Sequence, residues 1–410
     1  MKAMKARSKE VFFPLFALFV IFSNELFFSF FYITQIPLMS GMKAQLAIAI
    51  AVVAYLMMIC DLIKGRFAKR NLWQLVLLFL TLALYLVTGC LYPHGCDEYH
   101  LYITYLLAYG SLCIPMAYLG MRLARGGYEN RMLCNLPYFL FAVALGVGSA
   151  VMTGYSEERM LGTGVDNGLN YQNSSYFMAY CFAYSVFYVF FLNDMKKNVW
   201  QKIVYFAVVP LVFLCAVGTI VGGGRGAFLN LIVSVVFILS RILWRSTGKS
   251  GIKHIVMLIG ASVIMVYLAI HYDIFDSAGA LRVASSLTTD DNRGELRRLA
   301  FASFGKSPLI GHGLGSVWWE VGFFSHNIFQ DLLAETGIVG TLIMIVILAT
   351  MFFRLVRSSK TNNLDFFILL IYICYMMNNM FSGYWIANMH LFLVFGYVYG
   401  KGKLDRYQFE

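Results

Sequence analysis

Residues 337–353 read GIVGTLIMIVILATMFF, with Glu335 just before them and Arg354, Arg357 and Lys360 just after. A hydrocarbon core about 30 Å thick takes roughly 20 helical residues to cross. The run 337–356 meets that length without an ionisable group until its basic end. Eleven further runs of this kind lie outward from it, at 11–35, 44–63, 72–92, 99–121, 132–152, 173–193, 203–221, 226–244, 252–271, 364–382 and 385–400. The chain has 410 residues, of which 60% are hydrophobic and 13% charged, with a mean hydropathy of +0.70. A soluble domain carries about 25% charge, so this chain could not cover a soluble surface. Disordered chains and secreted disulfide scaffolds are excluded on the same grounds. Long continuous runs also exclude an outer-membrane barrel, whose strands alternate. The expected fold is all-α: a polytopic membrane protein with about 12 transmembrane helices and a large external loop containing short amphipathic helices. Its expected parts are an N-terminal bundle of nine spans (1–271), an external loop (272–336) and a C-terminal bundle of about three spans (337–410).

The basic residues orient this layout. Suppose the N-terminus, with Lys2, Lys5, Arg7 and Lys9, is cytoplasmic. All but eight of the 32 basic residues then fall on that side, on the terminal segments and alternate connections. The exceptions are Lys43, Arg159, Arg225, Arg282, Arg293, Arg297, Arg298 and Lys306. Both termini are therefore expected in the cytoplasm, and the net charge of +11 reports topology rather than a nucleic-acid surface. The first run continues past Asn24 and Glu25 without a small-residue cleavage site, as an anchor does and a signal peptide does not. The eight cysteines show no CxxC pair and no Cys/His ligand spacing, so no metal is expected. Cys90 and Cys96 either form an external disulfide or remain free thiols.

Arginines on the side opposite to the rule need a reason, and they lie near the two longest external loops, about 153–172 and 272–336. In the second, Asp290, Asp291 and Asn292 suit a helix cap, and the spacing predicts a helix through Arg293-Gly294-Glu295-Leu296-Arg297-Arg298-Leu299 to about Phe304. Arg293 and Arg297 then share a face. Gly311-His312-Gly313-Leu314-Gly315 follows, then Trp318-Trp319 and Ser325-His326-Asn327. A second helix is expected to place Ile328, Phe329, Leu332 and Leu333 on one stripe and Gln330, Asp331 and Glu335 on the opposite, solvated face, ending at Gly337. Separately, Gly222-Gly223-Gly224-Arg225-Gly226-Ala227 stands at the external start of the eighth span. Glycines there allow a sharp turn and the close approach of a ligand. An arginine at that depth must face protein, water or an anion.

Arg225 in its Gly-Arg-Gly-Ala setting, Arg293 in a large external loop, Gly-x-Gly-x-Gly at 311–315 and His326-Asn327 before a helix ending Leu-Leu-Ala-Glu-Thr-Gly together resemble the O-antigen ligase/polymerase superfamily. The resemblance covers about 220–340. It departs at Gly224, where that family often has serine. It implies a glycosyltransferase that moves a glycan from an undecaprenyl-diphosphate carrier to a sugar hydroxyl, as a repeat-unit polymerase of O-antigen, capsule or exopolysaccharide, or as a ligase acting on lipid A-core. The implied partners are that lipid-linked donor, a glycan or lipid-linked acceptor and the bilayer, with no nucleic acid. The implied place is the bacterial cytoplasmic membrane, with the site on the external side.

Chemistry assigns roles to these residues. Guanidinium forks stabilise phosphate oxygens bidentately, which suits Arg225 and Arg293 to a departing diphosphate. An imidazole can take the acceptor proton near neutral pH, which suits His326. Arg297, Arg298, Gly224 and Asn327 are expected to bind substrate. The reaction expected is inverting displacement without metal or cofactor. Each residue also has a structural alternative. Arg225 can snorkel, Arg293 can pair with Asp290 or Asp291, Arg297 or Arg298 with Glu295, and His326 can be a satisfied loop histidine. The acidic pair Asp290-Asp291 can hold a cation, although capping explains it more simply. His312 is expected as a turn residue, while Trp318 and Trp319 suit either a sugar face or a membrane belt. Glu25, a carboxylate within the first span, serves the site or a polar network. A transporter or flippase for lipid-linked sugars, the reading from another class, would need paired intramembrane charges or inverted repeats, and neither is evident.

Overall fold

The computed structural model describes residues 2–34, 42–67, 69–92, 97–152, 171–191, 199–245 and 293–401, together with Tyr267, Ile270, His271 and Leu281. Among these the regular structure is helical throughout, without a strand. The protein is an all-α polytopic membrane protein. Among the described residues nine helices are long and apolar enough to cross a bilayer, and a bent pair brings the number to ten. Two expected spans differ and a third is not described. The first is not continuous: α1 (Lys2–Ile21) and α2 (Ser23–Thr34) meet at Phe22, and their apolar parts bend by 73°. Ser23 Oγ donates to the Val20 carbonyl at 2.9 Å, the local competition by which serine bends helices. The last run, 385–400, becomes a short turn at Trp385–Ala387 and a helix, Met389–Gly400, of only 12 residues. The run 252–271 lies almost wholly outside the described residues.

The chain folds into two compact units, each built from separated stretches. The first comprises Met1–Met42, Gly127–Thr289 and Ser358–Met377. It holds α1, α2, α7 (Glu129–Met152), α8 (Tyr171–Phe191), α9 (Val199–Val221), α10 (Arg225–Arg245) and most of α14 (Asn363–Phe381). Helix α8 is its core: nearly every residue is buried, including Ser174, Ser175 and Ser185. Small and hydroxyl residues let neighbouring helices approach closely where lipid supplies no hydrophobic drive. At one end, Arg241 is buried with Nη1 on the Ser359 carbonyl, Nη2 on Asn363 Oδ1 at 3.0 Å and its guanidinium 4.1 Å from the Phe366 ring centre.

The second unit comprises Lys43–Gly126, Asp290–Arg357 and Asn378–Glu410. It holds α3 (Met42–Ile63), α4 (Lys69–Leu91), α5 (Asp97–Ala108), α6 (Ile114–Leu123), α11 (Arg293–Lys306), α12 (Val317–Glu320), α13 (Ile328–Ser358) and α15 (Met389–Gly400). Buried Asp61, at the end of α3, receives Arg125 at 3.1 Å, Arg66 at 3.5 Å, Arg122 at 3.8 Å and the Tyr118 hydroxyl at 3.0 Å. Two basic connections expected on one side of the membrane thus meet at a single carboxylate. Helices α6 and α15 approach each other closely at two glycines. A Cβ on Gly120 would strike the Leu393 carbonyl, and one on Gly396 would strike the Ala117 carbonyl. Gly396→Leu should therefore separate this pair at a cost of about 1–3 kcal/mol. A lower melting temperature of the detergent-solubilised protein is expected, and a wild-type value would show that the contact carries no load.

Candidate functional site

The second unit holds Arg293, Arg297, Arg298, His326 and Asn327. The cap residues expected before α11 lie outside the described residues, and the helix itself runs from Arg293 to Lys306. Its three arginines differ in surroundings. Arg298 is exposed and forks onto Glu295, with Nε at 2.9 Å and Nη2 at 2.6 Å. That fork holds the Glu295 carboxyl below the usual carboxylate range. Arg297 is exposed. Arg293 is half-buried and sends Nη1 to the Phe381 carbonyl at 2.7 Å.

His326 reaches the next carbonyl along. Its Nδ1 lies 3.2 Å from Ser382 O. A carbonyl can only accept, so this contact places the hydrogen on Nδ1 and leaves the lone pair on Nε2. Arg293 and His326, 33 positions apart in the chain, are thereby brought to consecutive carbonyls of one turn after α14. His326 has φ +61°, and among the described residues it is the one non-glycine with positive φ. Such strain persists where the surroundings over-determine it, and here they do. On one side, Ser325 N donates to Asp331 Oδ1 at 2.7 Å. On the other, Asn327 Oδ1 caps α13 by accepting from Phe329 N at 3.0 Å and Gln330 N at 3.4 Å. Asn327 is thus committed through its oxygen, and only its Nδ2 is left for a ligand. Phe324 meets the imidazole edge-on at 4.5 Å between ring centres and stacks on Tyr384 at 5.6 Å.

Helix α13 corrects the expected amphipathic pattern. Asp331 and Glu335, expected on a solvated face, are both fully buried, as are Ile328 and Leu332. The Glu335 carboxylate accepts from Gly315 N at 3.0 Å, from Trp385 Nε1 at 3.1 Å and from the Tyr384 hydroxyl. The helix breaks at Gly337, whose φ of 60° and ψ of −164° only glycine adopts without strain. Residues 308–313 run alongside this break. His312 N donates to Ala334 O at 3.1 Å, Gly313 N to Glu335 O at 2.8 Å, and Ile338 N to Pro308 O at 2.8 Å. A Cβ on Gly311 would strike the Glu335 backbone, so the glycine-rich motif is shaped by this contact. His312 itself lies 3.0 Å from Ser303 O and 4.0 Å from Glu320. Trp318 is buried against Tyr105 and Tyr384, whereas Trp319 is half-buried and stacks on Tyr92.

Sequence reasoning missed Asp331, Glu335, Tyr384 and the Phe381 and Ser382 carbonyls. One signal was available: two like charges four apart repel on a helix face, and these directly precede a long apolar run.

Residues 210–345 match the family described as O-antigen ligase. That match, over about a third of the chain, supports the O-antigen ligase/polymerase superfamily. No curated protein and no solved structure matched it. A member of this superfamily is a membrane enzyme of the ligase or polymerase type, acting on a lipid-linked glycan and an acceptor.

Arg225 and Gly224 belong to the first unit. Arg225 is the half-buried first residue of α10, after the turn Gly222–Gly224. The family resemblance leads one to expect a serine hydroxyl at position 224. Here the hydroxyl comes from α8: Gly224 N donates to Ser175 Oγ at 3.0 Å, and a Cβ on Gly224 would lie 2.8 Å from Ser175 Cβ. Glu25, also in this unit, is buried and accepts from the Tyr375 hydroxyl at 3.1 Å, which places it in a polar network. Ser175→Ala should leave the buried Gly224 N–H without this acceptor and cost about 1–3 kcal/mol. The expected readout is a lower melting temperature, and an unchanged one would show that the hydroxyl does not hold the turn before Arg225.

Proposed function

We propose that the protein is a repeat-unit polymerase of surface polysaccharide, transferring a growing glycan from undecaprenyl diphosphate to a hydroxyl of a second lipid-linked glycan. The observation that supports this reading is the anchoring of Arg293 and His326 to consecutive carbonyls, an arrangement suited to a phosphate-binding cation and a general base. His326 holds its hydrogen on Nδ1 against Ser382 O, so Nε2 carries the lone pair that takes the acceptor proton. It stands next to the N-terminus of α13, where the helix dipole favours the neutral imidazole that a base requires.

As the acceptor oxygen bonds to the anomeric carbon, the bond from that carbon to the diphosphate oxygen breaks and the electron pair leaves with the diphosphate. Direct displacement inverts the anomeric centre. Arg293 meets the negative charge that develops, an electrostatic contribution worth about 2.7–4 kcal/mol for one well-placed donor. Arg225, at the positive end of α10, has by its own chemistry the means to bind a phosphate. The arginines supply the cationic charge, so the mechanism needs no metal. Arg298 is engaged with Glu295 and exposed Arg297 is free to meet glycan, which within this unit puts donor binding chiefly on Arg293.

Ligation of finished glycan to lipid A-core uses the same donor chemistry. Polymerase is preferred because the external segments carry no basic cluster for a phosphorylated core. The site is assigned to the external face of the cytoplasmic membrane by the distribution of basic residues. The test is a gel profile of surface glycan from cells lacking the protein, complemented with wild type, His326→Ala or Arg293→Lys. Single repeat units on the normal acceptor are expected without the protein and with His326→Ala. Loss of all glycan from lipid A-core, with polymer still on the carrier, would mean ligase. Arg293→Lys should lower transfer on the order of 10²–10³-fold, because an ammonium lacks the fork. Full rescue by His326→Ala would remove the base from this scheme.

A further inference from the structure

We infer that Glu335 is a positioning residue of the transfer reaction, holding the turn whose carbonyls orient His326 and Arg293. This rests on the reading of His326 as the base. The carboxylate is fully buried, and among the described residues no cation is paired with it. Instead it accepts three hydrogen bonds from two separate segments: Gly315 N at 3.0 Å from the glycine-rich turn, and the Tyr384 hydroxyl with Trp385 Nε1 at 3.1 Å from the segment after α14. Tyr384 and Trp385 lie two and three residues beyond Ser382, whose carbonyl holds the imidazole, and three and four beyond Phe381, whose carbonyl holds Arg293.

The linkage also closes through α13. Its first turns hold Asp331, which fixes Ser325 and hence the left-handed His326, and Glu335 stands one turn further along the same helix. The carboxylate therefore ties the segment that carries the base to the segment that orients it. A buried polar group whose partners are all donors is intolerant of substitution, because any replacement must still accept from each. Tyr384 also packs on Phe324, which touches the imidazole edge, so the ring contacts run parallel to the hydrogen bonds.

The test uses full-length protein in detergent, with the lipid-linked glycan that accumulates in cells lacking the protein as both donor and acceptor. Glu335→Gln turns an amide N–H toward one of three donors. It should lower kcat on the order of 10–100-fold, the size of loss seen when an orienting partner is removed, while KM stays within about twofold. Tyr384→Phe removes one donor but keeps the ring, and should lower kcat by a smaller factor in the same direction. In both variants the acid limb of the pH–rate profile should move to lower pH. The imidazolium loses the carbonyl that stabilised it, so neutral imidazole persists to lower pH. A purely structural role would change the amount of folded protein and leave the shape of the profile alone. If Glu335→Gln does not accumulate, Tyr384→Phe decides the matter. Wild-type kcat and profile in the variants, with His326→Ala inactive, would overturn the positioning role and leave the base in place. Wild-type turnover by His326→Ala would overturn the base itself, and the positioning role with it.

Discussion

A buried carboxylate without a cation is the constraint around which the second unit is arranged. An ionised or neutral carboxyl removed from water must satisfy its oxygens inside the protein, since each lost hydrogen bond costs roughly 1–3 kcal/mol. Glu335 meets that demand with a backbone amide, a phenol and an indole drawn from two stretches distant in sequence. Satisfying one side chain thus fixes where the glycine-rich turn and the segment after α14 must lie. The break at Gly337 follows the same logic. Opening the helix there exposes backbone groups, and residues 308–313 arrive to pair with them.

The first unit handles its polar groups by similar means in a more apolar surround. Glu25 takes the Tyr375 hydroxyl, Asn230 Nδ2 donates to the Cys374 carbonyl at 3.2 Å, and Arg241 is held by a carbonyl, an amide and two aromatic faces. Within hydrocarbon no water is available to complete such groups. Each polar side chain placed there specifies a particular neighbour, which greasy packing alone does not. Ser175 and Gly224 show how that specificity is distributed. The hydroxyl used at the turn before Arg225 sits on a different helix, so the turn and α8 depend on each other.

Much of this was legible beforehand. Nine helices appear where apolar length placed them, because crossing hydrocarbon sets a minimum run that composition displays directly. The helix at Arg293 follows from local chemistry within a few residues, whereas the cap at Asn327, a residue expected to bind substrate, is seen only in the structure. The bend at Phe22 and the shortness of the helix at Met389–Gly400 were not legible, since apolar count does not register where a backbone turns. The candidate site shows the same division. Arg293 and His326 could be named from their unusual position and surroundings. Their common anchor could not, because it is made of main-chain carbonyls that carry no residue identity.

By itself, then, the sequence determined the solvent, the approximate extent of most of the helices, and which ionisable side chains were candidates for chemistry. Those properties depend on hydrophobicity and charge summed over short windows of the chain. Tertiary structure alone decided that Asp331 and Glu335 would be buried rather than solvated, that the Phe381–Ser382 turn would receive Arg293 and His326, and that Ser175 would stand in for a missing hydroxyl beside Arg225. These outcomes depend on pairings between segments tens of residues apart. The free energy of such a pairing belongs to two surfaces at once, so neither segment shows it alone.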